Sequence, residues 1–266
     1  MTSQHANVAV GRITIVGLGP AGPDYVTQQT LDAIASHDHR FIRTTRHPSA
    51  SVAGTATSFD DVYEAADTFA DVYTEISERL IAAALEHGEI LYAVPGSPLV
   101  LERTVRQLLD DDRVDCTILP AMSFLDIAFA RLGIDPVEVG VRLVDGHDFA
   151  NAAAGDHGPL FVAHTHANWV LSDIKLAVER ATGDEPVVIL QRLGTPEELI
   201  TNTTWAELDR TVEADHLTSI YIPHLGAPVG GSLVRFHQLA RTLREQCPWD
   251  QKQTHQSLVK YLLEET

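Results

Sequence analysis

The stretch Ile13-Thr14-Ile15-Val16-Gly17-Leu18-Gly19-Pro20-Ala21-Gly22-Pro23-Asp24 decides the reading of the fold. An apolar, β-branched run stops abruptly at glycines and prolines, and a polar, helix-like segment follows at once. Strands buried on both faces of a parallel sheet read this way, with little apolar/polar alternation. The glycines let the chain turn tightly and leave its amides close to whatever sits at the carboxyl end of the strand. Gly17, Gly19 and Gly22 fit the spacing of a dinucleotide fingerprint, but Pro20 and Pro23 stand where its phosphate-binding helix should open. Proline tolerates only the first helical turn and pushes the residue before it out of the helical region. A pyrophosphate cradle at that helix N-terminus is therefore rejected, and the helix is expected to open near Tyr25-Val26-Thr27. Two readings of the loop stay open: the lining of a ligand cleft, and a purely structural turn.

The same strand, turn and helix pattern recurs downstream. Residues 76–85 carry an apolar stripe at Ile76, Leu80, Ile81, Ala84 and Leu85, and Gly88 supplies a C-terminal cap. Glu89-Ile90-Leu91-Tyr92-Ala93-Val94 reads as a strand, Pro95-Gly96-Ser97-Pro98 as its turn, and 99–109 as the next helix. Residues 114–119 form another strand, Pro120-Ala121-Met122-Ser123 another turn, and 124–132 another helix. Crossovers of this kind gather the turns on one edge of a parallel sheet, where open α/β sheets bind ligands. Between these units, 26–36 is helical, 39–43 a short strand, 49–57 a small polar loop with mobile character, and 59–73 an acidic segment broken by a turn.

Gly133-Ile134-Asp135-Pro136 marks a boundary. Strands are expected beyond it at 140–144, 159–163, 186–190 and 217–222, with helices only at 170–180 and near 205–208, the pattern of an α+β domain. The organisation expected is a loose leader over 1–10, an α/β domain over 11–136, an α+β domain over 137–225, and a helix with further chain over 226–266. The last segment stops in mid-pattern at Leu262-Leu263-Glu264-Glu265-Thr266, as a truncated amphipathic helix would.

Composition narrows the partners. Acidic residues exceed basic ones by 37 to 19, a net charge of -18, whereas nucleic acid and anionic membranes ask for a basic patch. No apolar run approaches a membrane span and no basic-then-apolar leader opens the chain, so a cytoplasmic protein is expected. Cys116 and Cys247 are isolated, which fits a reducing compartment without disulfides. His164 and His166, with Asn168 beside them, would share one face of an extended strand, but zinc there needs a third ligand that the sequence does not name. No metal site is expected. Pro95-Gly96-Ser97-Pro98 lacks the G-x-S-x-G arrangement of a nucleophile elbow, leaving Ser97 and Ser123 either to cap helices or to bond a ligand.

Taken together, Ile15-Val16-Gly17-Leu18-Gly19-Pro20, the run 92–100 around Pro95-Gly96-Ser97-Pro98, Leu119-Pro120-Ala121-Met122-Ser123-Phe124-Leu125-Asp126, Ser172-Asp173-Ile174-Lys175-Leu176-Ala177 and Asp215-His216-Leu217-Thr218-Ser219-Ile220-Tyr221-Ile222-Pro223 resemble the tetrapyrrole methylase superfamily. More narrowly, the chain resembles the N-terminal methylase-like domain fused to MazG-type nucleoside triphosphate pyrophosphohydrolases, and residues 247–265 resemble the opening of the MazG domain. Its metal-binding E-E-x-x-E would begin at Glu264-Glu265, so this chain is not expected to hydrolyse nucleotides. The resemblance implies a two-domain tetrapyrrole-methylase-like fold, with a parallel sheet in the first domain and a mixed sheet in the second. It implies S-adenosylmethionine held in the cleft of that fold, S-adenosylhomocysteine as product, a small-molecule methyl acceptor and a homodimer. Carried over by position, Pro20, Pro95, Ser97, Val100, Ser123 and Phe124 would meet the cofactor from the three turns, and His164 and Leu193 from the second domain. Three turns depart from the family pattern. Gly19-Pro20-Ala21-Gly22 replaces Gly-Pro-Gly-Asp, Pro95-Gly96-Ser97-Pro98 replaces Gly-Gly-Asp-Pro, and Pro120-Ala121 replaces Pro-Gly. Two loop acids are thereby missing, which weakens any inference to a porphyrinoid substrate. The competing reading is a non-catalytic module that senses a cofactor or nucleotide for an attached hydrolase.

Overall fold

The computed structural model describes residues 10–66 and 68–264. The leader expected over 1–10 lies, apart from Val10, outside the described residues, and so does Glu265. The chain divides into two units: described residues up to Ile134 together with Leu193–Glu198, and Asp135–Arg192 with residues from Leu199 onward.

The first unit holds a five-stranded parallel sheet in the order β3-β2-β4-β1-β5, built from β1 (Gly11–Gly17), β2 (Arg40–Ile42), β3 (Thr57–Ser58), β4 (Glu89–Val94) and β5 (Val114–Ile118). β1 pairs with β4 from Arg12 opposite Glu89 through Gly17 opposite Val94, and with β5 on its other side. Helices α1 (Gln28–Ser36), α2 (Asp60–Ala65), α3 (Phe69–His87), α4 (Arg103–Leu109) and α5 (Phe124–Leu132) connect the strands. Ile13, Ile15, Ile90, Tyr92 and Val94 face α3 and α4 in one buried core; Val16, Leu91 and Ala93 meet Ile34 of α1 in another. The sheet is thus covered on both faces, which is why its strands read as continuous apolar runs. Right-handed crossovers leaving the neighbours β1 and β4 in opposite directions open a crevice at their carboxyl ends.

Several expected boundaries move. α1 opens at Gln28, with the Thr27 hydroxyl accepting from the Thr30 amide, after a 3-10 turn at Pro23–Tyr25. α3 begins at Phe69 instead of residue 76, because Thr68 caps it through the Asp71 amide; Gly88 ends it in a positive-φ cap as expected. α4 begins only at Arg103, because residues 95–101 form an extended turn in which Leu101 adopts a φ of 61°. The segment expected to be a mobile loop at 49–57 packs instead. Ala50–Ala53 is a 3-10 turn, Ser49 and Ala53 are buried, and β3 follows.

The second unit holds a mixed sheet in the order β6-β7-β10-β8-β9, from β6 (Arg142–Asp145), β7 (Leu160–Ala163), β8 (Pro186–Gln191), β9 (Leu199–Thr204) and β10 (Thr218–Ile222). β6 and β7 are parallel, and the other pairings are antiparallel. β9 escapes the sequence pattern because its residues Leu-Ile-Thr-Asn-Thr-Thr form a largely exposed edge strand without a buried apolar face. Helices α6 (Phe149–Ala152), α7 (Asn168–Leu176), α8 (Gly231–Gln246) and α9 (His255–Glu264) complete the unit. Its core gathers Phe149, Val162, Val170, Ile174, Ile189, Trp205, Leu208 and Ile220. α8 presents Leu233, Phe236, Leu239 and Leu243 at its exposed surface. Among the described residues no helix is long and apolar enough to cross a membrane.

Candidate functional site

Three strand ends meet at Gly17, the last residue of β1. A Cβ built there would lie 2.2 Å from the Gly96 carbonyl oxygen, 2.5 Å from the Ala121 Cβ and 2.9 Å from the Pro98 Cδ. The turns after β1, β4 and β5 therefore converge on one point, and only a glycine admits that approach. The first two turns are also stitched together. Gly19 and Gly96 exchange amide-to-carbonyl bonds of 3.2 and 2.8 Å, and the Leu18 amide donates to the Val94 carbonyl at 2.9 Å. The third turn is held by the Leu119 amide donating to the Ile15 carbonyl, also at 2.9 Å.

Further side chains fix the first loop. Thr30 Oγ1 donates to the Gly17 carbonyl, and Ser49 Oγ donates to the Ala21 carbonyl at 2.6 Å. The Ser49 amide in turn donates to His47 Nδ1. Burial pushes the His47 imidazole below its ordinary range, against an opposing hydrogen bond with the Gly19 backbone. A late segment braces the same loop: at Gly194, with φ of 79°, a Cβ would lie 2.7 Å from Ile127 Cδ1 and 3.0 Å from Ala21 Cβ. Glu198 holds this segment by accepting from the Gly194 amide at 2.7 Å and by pairing with Arg131 on α5. His47, Ser49 and Gly194 belong to no recognisable motif. They are far from the loop in sequence, and only the crossovers bring them to it.

The expected site residues fall into three groups. Pro20, Pro95, Ser97 and Val100 lie partly exposed on the converging turns. Ser123 is buried and occupied: its hydroxyl accepts from the Leu125 amide, while Asp126 accepts from the Ser123 amide, a reciprocal capping box for α5 that begins at Phe124. Ser97 caps nothing, since α4 begins after Glu102, and no hydroxyl bond is formed by it among the described residues. The two serines, equivalent in the sequence, thus separate. Leu193, which the resemblance gives to the second domain, is buried within the first unit, at the start of the segment that braces the loop. Leu99, Leu101 and Met122 expose apolar surface on the second and third turns. Partly exposed turns with one uncommitted hydroxyl and exposed apolar side chains suit a ligand with a polar end and a flat or aliphatic body.

His164 lies on the second unit, directly after β7, in the left-handed region at a φ of 58°. Its Nδ1 lies 3.0 Å from Asp145 Oδ2 at the end of β6. Asp145 Oδ1 accepts from the His147 amide at 3.0 Å, so both carboxylate oxygens are engaged. Despite partial burial, these bonds hold the Asp145 carboxyl below its ordinary range. Asn168, suspected with the histidines, is a structural clip: its amide donates to the Asp209 and Val212 carbonyls and its Oδ1 accepts from the Ala214 amide. Among the described residues no group of three or more histidine, cysteine or acidic side chains stands in a metal-holding arrangement.

Comparison with known proteins gives concordant matches. The family model of Tetrapyrrole (Corrin/Porphyrin) Methylases matches residues 12–209. The uncharacterized protein YabN of Bacillus subtilis (strain 168) is 35% identical over 271 residues, covering 96% of this chain and 54% of that protein. The chain therefore spans about half the length of the curated relative it matches. Among solved structures, a uroporphyrin-III-C-methyltransferase from Thermus thermophilus superposes with a TM-score of 0.60 at 20% identity, over 85% of this chain and 96% of that one. The Thermus thermophilus enzyme complexed with S-adenosyl homocysteine gives 0.57 at 17% identity, over 84% and 100% of the two chains. At these identities the structural likeness speaks for the fold.

Proposed function

Because the chain belongs to the tetrapyrrole (corrin/porphyrin) methylase family, we propose that it is an S-adenosylmethionine-dependent methyltransferase acting on a small molecule. The observation that carries this reading is the convergence of three strand-end turns on Gly17. Pro20, Pro95, Ser97 and Val100 are the residues proposed to hold the cofactor, with Phe124 beside the third turn and Leu193 supporting the first. Family correspondence adds His164, on the second unit. Ser123 contributes through the backbone it fixes, since its hydroxyl is committed to α5. The residues suit the group. Ser97 offers an uncommitted hydroxyl, and a Cβ at Gly96 or at Gly22 would meet nothing within 4 Å, so the turn surface is open there.

When bound, the cofactor supplies a methyl carbon carried on a sulfonium. The chain's task is then chiefly to hold an acceptor in line with that carbon and to keep water away, so that proximity lowers the barrier. The braced loop serves this end: bonds from Thr30 and Ser49 and the stitch between Gly19 and Gly96 fix its carbonyls before any ligand arrives. Preorganisation of this kind lowers the ordering cost of binding.

The reading extends to the longer protein. The resemblance of residues 247–265 to the opening of a MazG domain, and the greater length of YabN, support a methylase-like unit attached to a nucleoside triphosphate pyrophosphohydrolase, and the proposal takes that protein to be a homodimer in the cytoplasm. In that setting, sensing of the cofactor for the hydrolase is the second reading, favoured by the two missing loop acids.

Calorimetric titration of the chain with S-adenosylmethionine and S-adenosylhomocysteine tests the proposal. Micromolar binding is expected, and it is expected to vanish in Ser97→Tyr, which fills the turn surface. Absence of binding to either compound by the folded chain would overturn the methyltransferase reading. Binding without methyl transfer to any acceptor in a cell-extract screen would favour the sensing role.

A further inference from the structure

Within the first unit, the loop after β1 is clasped from a turn that lies some way downstream in the chain. His47-Pro48-Ser49-Ala50 is a single β-turn, closed by the Ala50 amide donating to the His47 carbonyl at 2.9 Å. Pro48 takes the second position, which proline favours, and Ser49, at φ of -93° and ψ of 7°, has the geometry of the third residue of a type I turn. The turn brings the Ser49 amide to His47 Nδ1 at 3.2 Å. A backbone amide can only donate, so Nδ1 carries a lone pair and the neutral ring keeps its proton on Nε2.

Two contacts then reach the loop on either side of Pro20. The His47 ring makes a hydrogen bond with the Gly19 backbone, one that favours a proton on the ring. Ser49 Oγ donates to the Ala21 carbonyl at 2.6 Å, and Ser49 is fully buried, so water does not compete for that bond. Pro20, proposed above to meet the cofactor from this loop, is partly exposed between the two fixed points.

We infer that His47 is a positioning residue for cofactor binding: neutral, with Nδ1 accepting from Ser49, it clamps the loop at Gly19 and, through Ser49, at Ala21, and so presents Pro20 in one conformation. The inference rests on the methyltransferase reading and names what sets the loop on which that reading depends. The ring's lone pair is spent on the Ser49 amide, so His47 takes no proton from the reaction. A proton on Nδ1 would set two donors face to face and place a charge in a partly buried ring, and burial already holds the imidazole below its ordinary range. The clamp is therefore complete above the ring's titration and is lost as pH falls through it. Charged neighbours are engaged elsewhere: Arg46 with Glu64, Asp60 with Thr44, Thr45 and Ser58, and the Tyr25 hydroxyl with Arg131, while Asp24 is exposed. Residues 18–22 and 50–53 carry no titratable side chain.

Calorimetric titration of the whole chain with S-adenosylhomocysteine compares wild type with His47→Asn and His47→Leu. Asparagine puts a side-chain oxygen in place of Nδ1, accepts from the amide two residues on, and does not titrate. Leucine accepts nothing. At mildly alkaline pH, His47→Asn should bind within about threefold of wild type and His47→Leu roughly tenfold more weakly, as for one lost buried hydrogen bond. As pH falls, wild-type affinity should drop relative to His47→Asn in step with protonation of the His47 ring, read from its NMR shifts. That comparison cancels any share from Glu102, which titrates at about 7 at the end of the second turn. Long-range proton–nitrogen spectra should show Nδ1 bare and Nε2 protonated. Ser49→Ala, which cuts only the bond to Ala21, is the second arm should His47→Leu fold poorly; it should weaken binding and leave the ring tautomer unchanged. A proton on Nδ1 of the neutral ring, full affinity in folded His47→Leu or Ser49→Ala, His47→Asn as weak as His47→Leu, or affinity that holds while the ring protonates would each overturn the inference. A folded wild-type chain with the expected tautomer that binds no S-adenosylhomocysteine overturns the methyltransferase reading, and the inference with it.

Discussion

Glu102 is buried at the end of the second turn, with one carboxylate oxygen bonded by Arg43 and Oε2 unpartnered among the described residues. Arg43 is itself held by Tyr63, whose hydroxyl accepts from its Nε at 2.7 Å. Burial outweighs the guanidinium and lifts the Glu102 carboxyl from 4.5 to about 7. A carboxyl whose folded value lies above its unfolded one favours the folded state at low pH, because the native state then binds the extra proton. Stability should accordingly fall by about 3 kcal/mol as pH rises from about 4.5 to about 7, then level off. Urea unfolding at pH 5 and pH 8 measures this, and Glu102→Gln should flatten the difference. Arg43→Met should cost about 3 kcal/mol at pH 8, where it strands a buried carboxylate, and much less at pH 5, where the acid is neutral. An Arg43→Met variant equally destabilised at both pH values would refute this account of the pair.

Among the elements, the turns carry the site and the helices fix the turns. Gly17→Ala drives a methyl group into the Gly96 carbonyl, Ala121 and Pro98, so it should destabilise the first unit by about 2 kcal/mol and weaken S-adenosylhomocysteine binding. Denaturant midpoints and calorimetry on one preparation read both effects. Ser123→Ala should cost about 1 kcal/mol through loss of the α5 capping box. Ser97→Ala should leave the midpoint alone and lower affinity, the opposite pattern. How much of this the sequence discloses depends on where the information lies. β4 and α5 are legible to the residue, because an apolar run between punctuating residues specifies a doubly covered strand, and Ser123 with Asp126 spells a helix start. Two regions are opaque for physical reasons. β9 has no buried face to imprint a pattern, and the start of α4 is delayed by a turn in which Leu101 adopts a φ of 61°, a conformation that a leucine does not announce. Asp145 and His147 are likewise ordinary residues until β6 pairs with β7 and brings them to His164.

At the scale of the whole molecule, each unit has its own buried core, yet the chain does not divide at a single point. The return of Leu193–Glu198 to the first unit braces Ala21 and Tyr25 through Gly194 and pairs Glu198 with Arg131. A fragment ending at Ile134 should therefore unfold at lower denaturant than the first unit does within the chain, and it should bind S-adenosylhomocysteine more weakly. Adding a synthetic peptide of residues 193–198 in excess should recover part of the affinity. A fragment as stable and as competent as the whole chain would show that the segment contributes nothing.

That returning segment also sets an order of events during synthesis. The strands and helices of the first unit leave the ribosome well before residues 193–198 are made. At about 5–20 residues per second the interval is on the order of several seconds. Through that interval the loop after β1 lacks its backing, so the nascent unit is a sheet whose ligand edge is unfinished. Full backing arrives with the sixth residue of a short insertion, which is made only after β8 of the second unit.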